Sequence, residues 1–204
     1  MPTPDEPADR RGLRRAVLIV ALLNLAFGVA EFHIAFGIGS VSLFADSVDF
    51  FEDASVNLLV FFALAWSART RARVGMVLTG ILLLPALAGL WTVAQKLATP
   101  VPPEAVVLSL TGLGALFVNL FCALLLSAYR SHGGSLTQAA FLSARNDTFA
   151  NLAIIAAGLV TAYLWRSMWP DLIVGVAIAY LNADAARTVW NAAREEHRGA
   201  RPVA

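Results

Sequence analysis

Charge is scarce in this chain of 204 residues: charged side chains make up 14% of it and hydrophobic ones 58%. Soluble domains carry about 25% charged residues, so the deficit excludes an ordinary soluble domain and points to segments that lie in lipid. Cysteine is nearly absent. The one cysteine, Cys122, stands in the apolar run FVNLFCALLL. An intrachain disulfide and any zinc site built from two or more cysteines are therefore excluded, and Cys122 reads as a small apolar packing residue. Neither sign of charge is in excess, with 15 basic and 14 acidic residues. The arginines are scattered between apolar runs without interleaved aromatics, which leaves no footprint for a nucleic acid. Internal repeats and low-complexity stretches are missing as well. The opening MPTPDEPADRRGLRR is followed by an apolar run too long for a signal peptide and without a small-x-small cleavage site.

What is present is a series of six apolar segments bounded by charge, glycine and proline: 14–38, 40–66, 74–97, 105–129, 136–165 and 169–190. They predict an all-α polytopic membrane protein, one six-helix transmembrane domain over 14–194. A disordered tail over 1–13 and a short tail over 195–204 flank it. Twelve of the 15 basic residues fall before the first segment, after the second and fourth, or at the end of the chain. The positive-inside rule then places both termini in the cytoplasm. Pro100, Pro102 and Pro103 mark an outer loop, and Trp66, Trp91, Trp165, Trp169 and Trp190 mostly lie near segment ends, as an interfacial belt does.

Carboxylates are expensive in lipid, about 2.5–3.5 kcal/mol each at a helix centre on insertion scales. Yet Glu31, Asp46, Asp49, Glu52, Asp53 and Asp147 all fall inside the proposed spans. In SLFADSVDFFEDASVNLL, Asp46, Asp49 and Asp53 follow an i, i+3, i+7 spacing and so share one helix face, while Glu52 lies about 60° off that stripe. Like charges one turn apart repel, so the face calls for a divalent cation or for protons. The fifth segment adds Ser143, Asp147 and Asn151 at successive i+4 positions, a second oxygen-bearing stripe. Packed together, the two stripes make a site with Asp49, Asp53 and Asp147 as its carboxylates, its shell completed by Ser143, Asn151 or water. Asp46, one turn outward, reads as a supporting or proton-path residue, and Arg145 and Asn146 as neighbours that tune the site. Asn24, Asn57 and Asn119 read as interhelical hydrogen-bonding residues. Asp171 reads as a polar residue in the first turn of the last helix, favoured by the helix dipole.

These residues resemble the cation diffusion facilitator family of divalent-metal exporters. Its second span typically opens with Gly-Ser-x-x-Leu-x-Ala-Asp-Ser, then His or Asp, three residues, and Asp; here the stretch is GSVSLFADSVDFFED. The resemblance implies Asp49 and Asp53 as paired ligands. The family's fifth-span His-x-x-x-Asp corresponds to Ser143 and Asp147. It further implies six spans with both ends inside, an inner-membrane location, a homodimer, and cargo metal exchanged for protons, with no resident cofactor and no enzymatic activity. Two departures stand out. Serine replaces the histidine that zinc-selective relatives use, and Asp49 fills a position often held by histidine. The site is then all oxygen and harder, favouring Mn(II), Mg(II) or Fe(II), although affinity order keeps Zn(II) and Co(II) in play. The sequence given also stops at Ala204, so it is expected to lack the family's cytoplasmic metallochaperone-like domain, and the loop between spans four and five holds only His132.

Two other classes compete. An intramembrane aspartyl protease needs a Gly-x-Gly-Asp segment, and Asp147 is preceded by Ala-Arg-Asn. A non-transporting relative that serves as a partner subunit has no need to keep Asp49, Asp53 and Asp147, each of which costs insertion energy.

Overall fold

A computed structural model describes residues 7–63, 90–129 and 134–181, with side chains placed at 11–59, 61–62, 90–129 and 146–181. These residues form helices, with no strand among them: α1 (Pro7–Ile38), α2 (Val41–Ala63), α3 (described over 90–98), α4 (Ala105–Ser127), α5 (Gly134–Tyr163) and α6 (Trp169–Leu181). The first, second, fourth and fifth predicted segments each coincide with one helix. Of the third and sixth, only 90–97 and 169–181 are described, and Trp66, Trp190 and the arginines at 69–73 and beyond 181 lie outside the described residues. One expectation is corrected: helix begins at Pro7, inside the stretch 1–13 read as a tail. Proline suits a first helical turn, where its missing N–H costs nothing.

The helices bury polar residues and expose apolar ones. On α4, Thr111, Gly112, Ala115, Asn119 and Cys122 are buried, whereas Val106, Leu110, Phe117, Phe121 and Leu124 are exposed. On α1, Asn24 and Glu31 are buried and Ile19, Leu22, Leu25 and Phe36 exposed. Such an inside-out distribution fits a lipid surround, where hydrocarbon covers the outer leucines and polar groups must find partners inside. Arg11–Ile38 and Ala105–Ser127 are long and apolar enough to cross a membrane.

The two most extensive helix pairings are α1 with α2 and α4 with α5, and α1–α4 and α2–α5 contacts join the pairs. A two-residue link, Gly39–Ser40, folds α1 back along α2, and Gly39 adopts φ 61°, a left-handed conformation that glycine takes without a Cβ penalty. Aromatic rings fill the α1–α2 seam: Phe27 meets Phe50 at 5.0 Å between centroids and Phe32 meets Phe44 edge-on at 4.8 Å. Toward the other end of this pair, the Arg14 guanidinium lies 4.8 Å over the Phe61 ring.

The first turn of α2 has all four of its N–H donors satisfied, two of them by a residue 130 positions away. Ser40 is the N-cap, its Oγ accepting from Leu43 N at 3.2 Å and its carbonyl from Phe44 N at 3.4 Å. The remaining donors, Val41 N and Ser42 N, reach the Asp171 carboxylate of α6 at 2.8 and 3.1 Å. So Asp171 caps α2 in addition to standing in the first turn of its own helix. Beside it, Gly175 lets α6 close on α2. A Cβ there would meet the Val41 carbonyl carbon at 2.6 Å and Ser42 N at 2.7 Å, both backbone atoms. Gly175→Ala is therefore expected to destabilise the protein by about 1–3 kcal/mol, outweighing the roughly 1 kcal/mol of helix propensity that alanine gains. A detergent melt in which the variant matches or exceeds the parent would contradict this close approach.

Candidate metal site

The acidic face of α2 divides into two levels. Asp49, Glu52 and Asp53 line a cavity of about 630 Å³, together with Asn146 and Asp147 of α5. The rest of the wall is apolar, from Phe149, Ala150 and Ala153 of α5 and from Ile173 to Leu181 of α6. The cavity brings together the three carboxylates predicted from spacing, with Asn146 and the off-stripe Glu52 beside them. The side chains of Ser143 and Arg145 lie outside the described residues; on the α5 backbone Ser143 stands one turn before Asp147. Low-polarity walls around several carboxylates strengthen their mutual repulsion and hence their attraction for a cation. Among the described residues, no three side chains of the His, Cys, Asp and Glu kinds stand close enough to hold one ion. The carboxylates are thus spread around the wall.

Asp53 is buried, and α1 helps to place it: Asn24 Nδ2 donates to Asp53 Oδ2 at 3.4 Å. Cys122 of α4 in turn donates to Asn24 Oδ1 at 3.6 Å. One turn further along α2, Asn57 Nδ2 donates to the Asp53 carbonyl at 2.8 Å. Asn24 thus bonds between helices as the sequence suggested, whereas Asn57, expected to do the same, donates within α2 to the carbonyl one turn back.

The second level is one turn closer to Ser40 and does not line the cavity. Here Asn119 Nδ2 donates to Asn151 Oδ1 at 2.9 Å, and Asn151 Nδ2 donates to Asp46 Oδ2 at 2.6 Å. Asn151 thereby uses its amide oxygen and its amide nitrogen on protein partners, and its expected place beside Asp147 becomes a bridge between α4 and α2. Asp46 and Asn151 are both fully buried. So is Glu31 of α1, whose carboxyl faces Asp46. Neither oxygen of Glu31 nor Asp46 Oδ1 finds a donor among the described residues. Sequence reasoning noticed Glu31 as an acid within a span but gave it no partner, because the partner lies 15 residues on, in the next helix.

Helices without strands among the described residues, many large apolar side chains on the outside and an acid-lined cavity between helices fit a membrane transporter for cations. The family comparison agrees: residues 17–195 match the model of the cation efflux transmembrane domain, and the chain belongs to that family. It is a transmembrane metal-cation transporter, of a family of transporters rather than enzymes. No curated protein matches the chain.

The Glu31–Asp46 contact sets an expectation for stability. Glu31→Gln keeps the side-chain volume and supplies an amide donor for the orphaned Asp46 oxygen, so the melt of the purified protein should rise, by about 1 kcal/mol in stability. A lower melting temperature would show that the glutamate is satisfied in some other way.

Proposed function

We propose that the protein exports a divalent metal ion from the cytoplasm in exchange for protons, with the ion seated among Asp49, Asp53 and Asp147. The observation that carries this reading is the shared cavity, in which three carboxylates from two helices face one space. Ser143, a turn from Asp147, and water complete the shell, and Glu52 and Asn146 draw the ion in. Asp46 and Asn151 support the site from the next turn. The donors are all oxygen, so the site takes hard ions such as Mn(II), Fe(II) and Mg(II) more readily than a histidine-bearing site does, while Zn(II) and Co(II) still bind.

Exchange follows from ligand chemistry. A carboxylate coordinates metal only when deprotonated, so metal and protons compete for the same oxygens and loading one releases the other. With the basic residues on the cytoplasmic side, both termini lie inside and the Ser40 end of α2 faces outward. Helices in a bilayer that leave a common cavity half closed around charged groups suit alternating access, in which packed helices rock about a fixed site. A homodimer formed through membrane helices, in the inner membrane of the cell, completes the reading.

The test is flux into proteoliposomes that enclose a metal-sensitive dye, under an imposed pH gradient, with Zn(II), Co(II), Mn(II) and Fe(II) compared. Asp53→Ala and Asp147→Ala are expected to reduce flux at least tenfold. Acidifying the compartment from which metal loads should slow uptake, because protons then hold the ligands, and acidifying the opposite side should speed it. Background flux of every ion in the parent protein would overturn the reading in favour of a non-transporting partner subunit.

A further inference from the structure

The end of the bundle away from the cavity is joined by a carboxylate that the transport site does not use. Asp171 is fully buried and takes four hydrogen bonds from the start of α2. Beyond the Val41 and Ser42 amides, Ser40 Oγ donates to its Oδ1 at 2.7 Å and Ser42 Oγ at 2.6 Å. Lys96 of α3 is buried too; its ammonium donates to the Gly39 carbonyl and stands within electrostatic reach of Asp171. Around this knot Val41, Met168 and Leu172 form an apolar cluster, with Val93 against it. Three segments distant in sequence, the α1–α2 turn, α3 and the start of α6, are thus fastened at one point.

Along α2 and α6 the packing changes. At Gly175 the two backbones are as close as a missing Cβ permits. From Ile173 through Leu181, the face of α6 that meets Asp49 and Asp53 borders the cavity instead. The pair is a wedge, shut at the Ser40 end and parted at the carboxylates. Among the described residues, α6 and the start of α2 leave no gap where Asp171 grips Ser40, Val41 and Ser42.

We propose that the Asp171 joint is a latch that closes the release side of the pathway, and that the transport cycle opens it by parting α6 from the start of α2. This rests on the transport reading above and adds the moving part. The bonds suit a reversible closure. They are four charge-assisted contacts to neutral donors, strong while buried and replaceable by water once the joint parts. The Ser40 and Ser42 hydroxyls and the two amides can all be solvated in the open state. An apolar seam alone lacks that exchange.

The experiment bridges the joint covalently. Val41→Cys and Leu172→Cys, both in the apolar cluster, are combined and linked with a short bis-methanethiosulfonate, with each single variant as control; the native Cys122 is buried on α4. Bridged protein should lose flux at least tenfold and regain it on reduction, while Mn(II) or Zn(II) still binds the bridged protein within about threefold of the reduced form. Bridged protein that transports at the reduced rate would overturn the latch. A second measurement needs no transport. Ser47→Cys, buried on α2 beneath the joint, is labelled with a membrane-impermeant maleimide from either side of the vesicle. Asp171→Ala should speed labelling several-fold from the Ser40 side only. Acceleration from both sides alike, or none, would overturn the proposal. A parent protein with no flux bears on the transport reading alone, since the labelling still decides the latch.

Discussion

A carboxylate among hydrocarbon is so costly that α2, with four acids in eight residues from Asp46 to Asp53, cannot turn that face to lipid. This constraint arranges much of the rest. It requires a neighbour on every side of the acidic face, and α1, α5 and α6 supply the wall or the hydrogen bonds. It leaves many bulky apolar residues of α1 and α4 outward, Leu22, Phe36, Phe117 and Leu124 among them, where lipid covers them, and keeps asparagine and threonine within. Small residues keep room beside them: Ala115 is buried, and Ala150 and Ala153 line the cavity next to the acids.

The acids are not treated alike. Asp46 is tied by an asparagine bridge that runs from α4 through α5, and Glu31 is pressed beside it. Asp49 and Asp147, half-buried, face open space one turn below. A buried polar network fixes helix positions, whereas groups that line a cavity border space that a ligand can enter. The same stripe thus contributes to holding the bundle together at one level and lines the cavity of the proposed site at the next.

The periodicity of α2 and α5 made the three cavity carboxylates legible in the sequence, because helix geometry is local and a stripe of acids can only face inward. The sequence was less informative where the partner lies on another helix at long range. Asn151 shares its face with Asp147, yet its amide is spent on Asn119 and Asp46. Lys96 on α3 gives no local sign of a partner, and its ammonium is drawn in to the Gly39 carbonyl near Asp171. Asp171 itself has the local look of a helix-start aspartate, and that reading is incomplete, since the helix start it serves most directly is that of α2. Dipole and capping rules identify a residue type suited to a helix N-terminus without saying which N-terminus lies nearby.

Fastening α2 at its first turn gives its carboxylates different leverage. At 1.5 Å of rise per residue, Asp49 lies about 12 Å and Asp53 about 18 Å from Val41. A tilt of about 10° about the fastened end carries Asp49 through about 2 Å and Asp53 through about 3 Å. Bonds from carboxylate oxygen to a divalent ion are about 2.0–2.6 Å long, so a tilt of that size is comparable with the bond itself and is enough to make or break coordination. Asp53 is the more strongly displaced of the two and the one that Asn24 steadies from α1. A helix capped firmly at one end and lined with acids toward its middle is therefore a lever, in which a small change at the cap is enlarged at the carboxylates proposed as ligands.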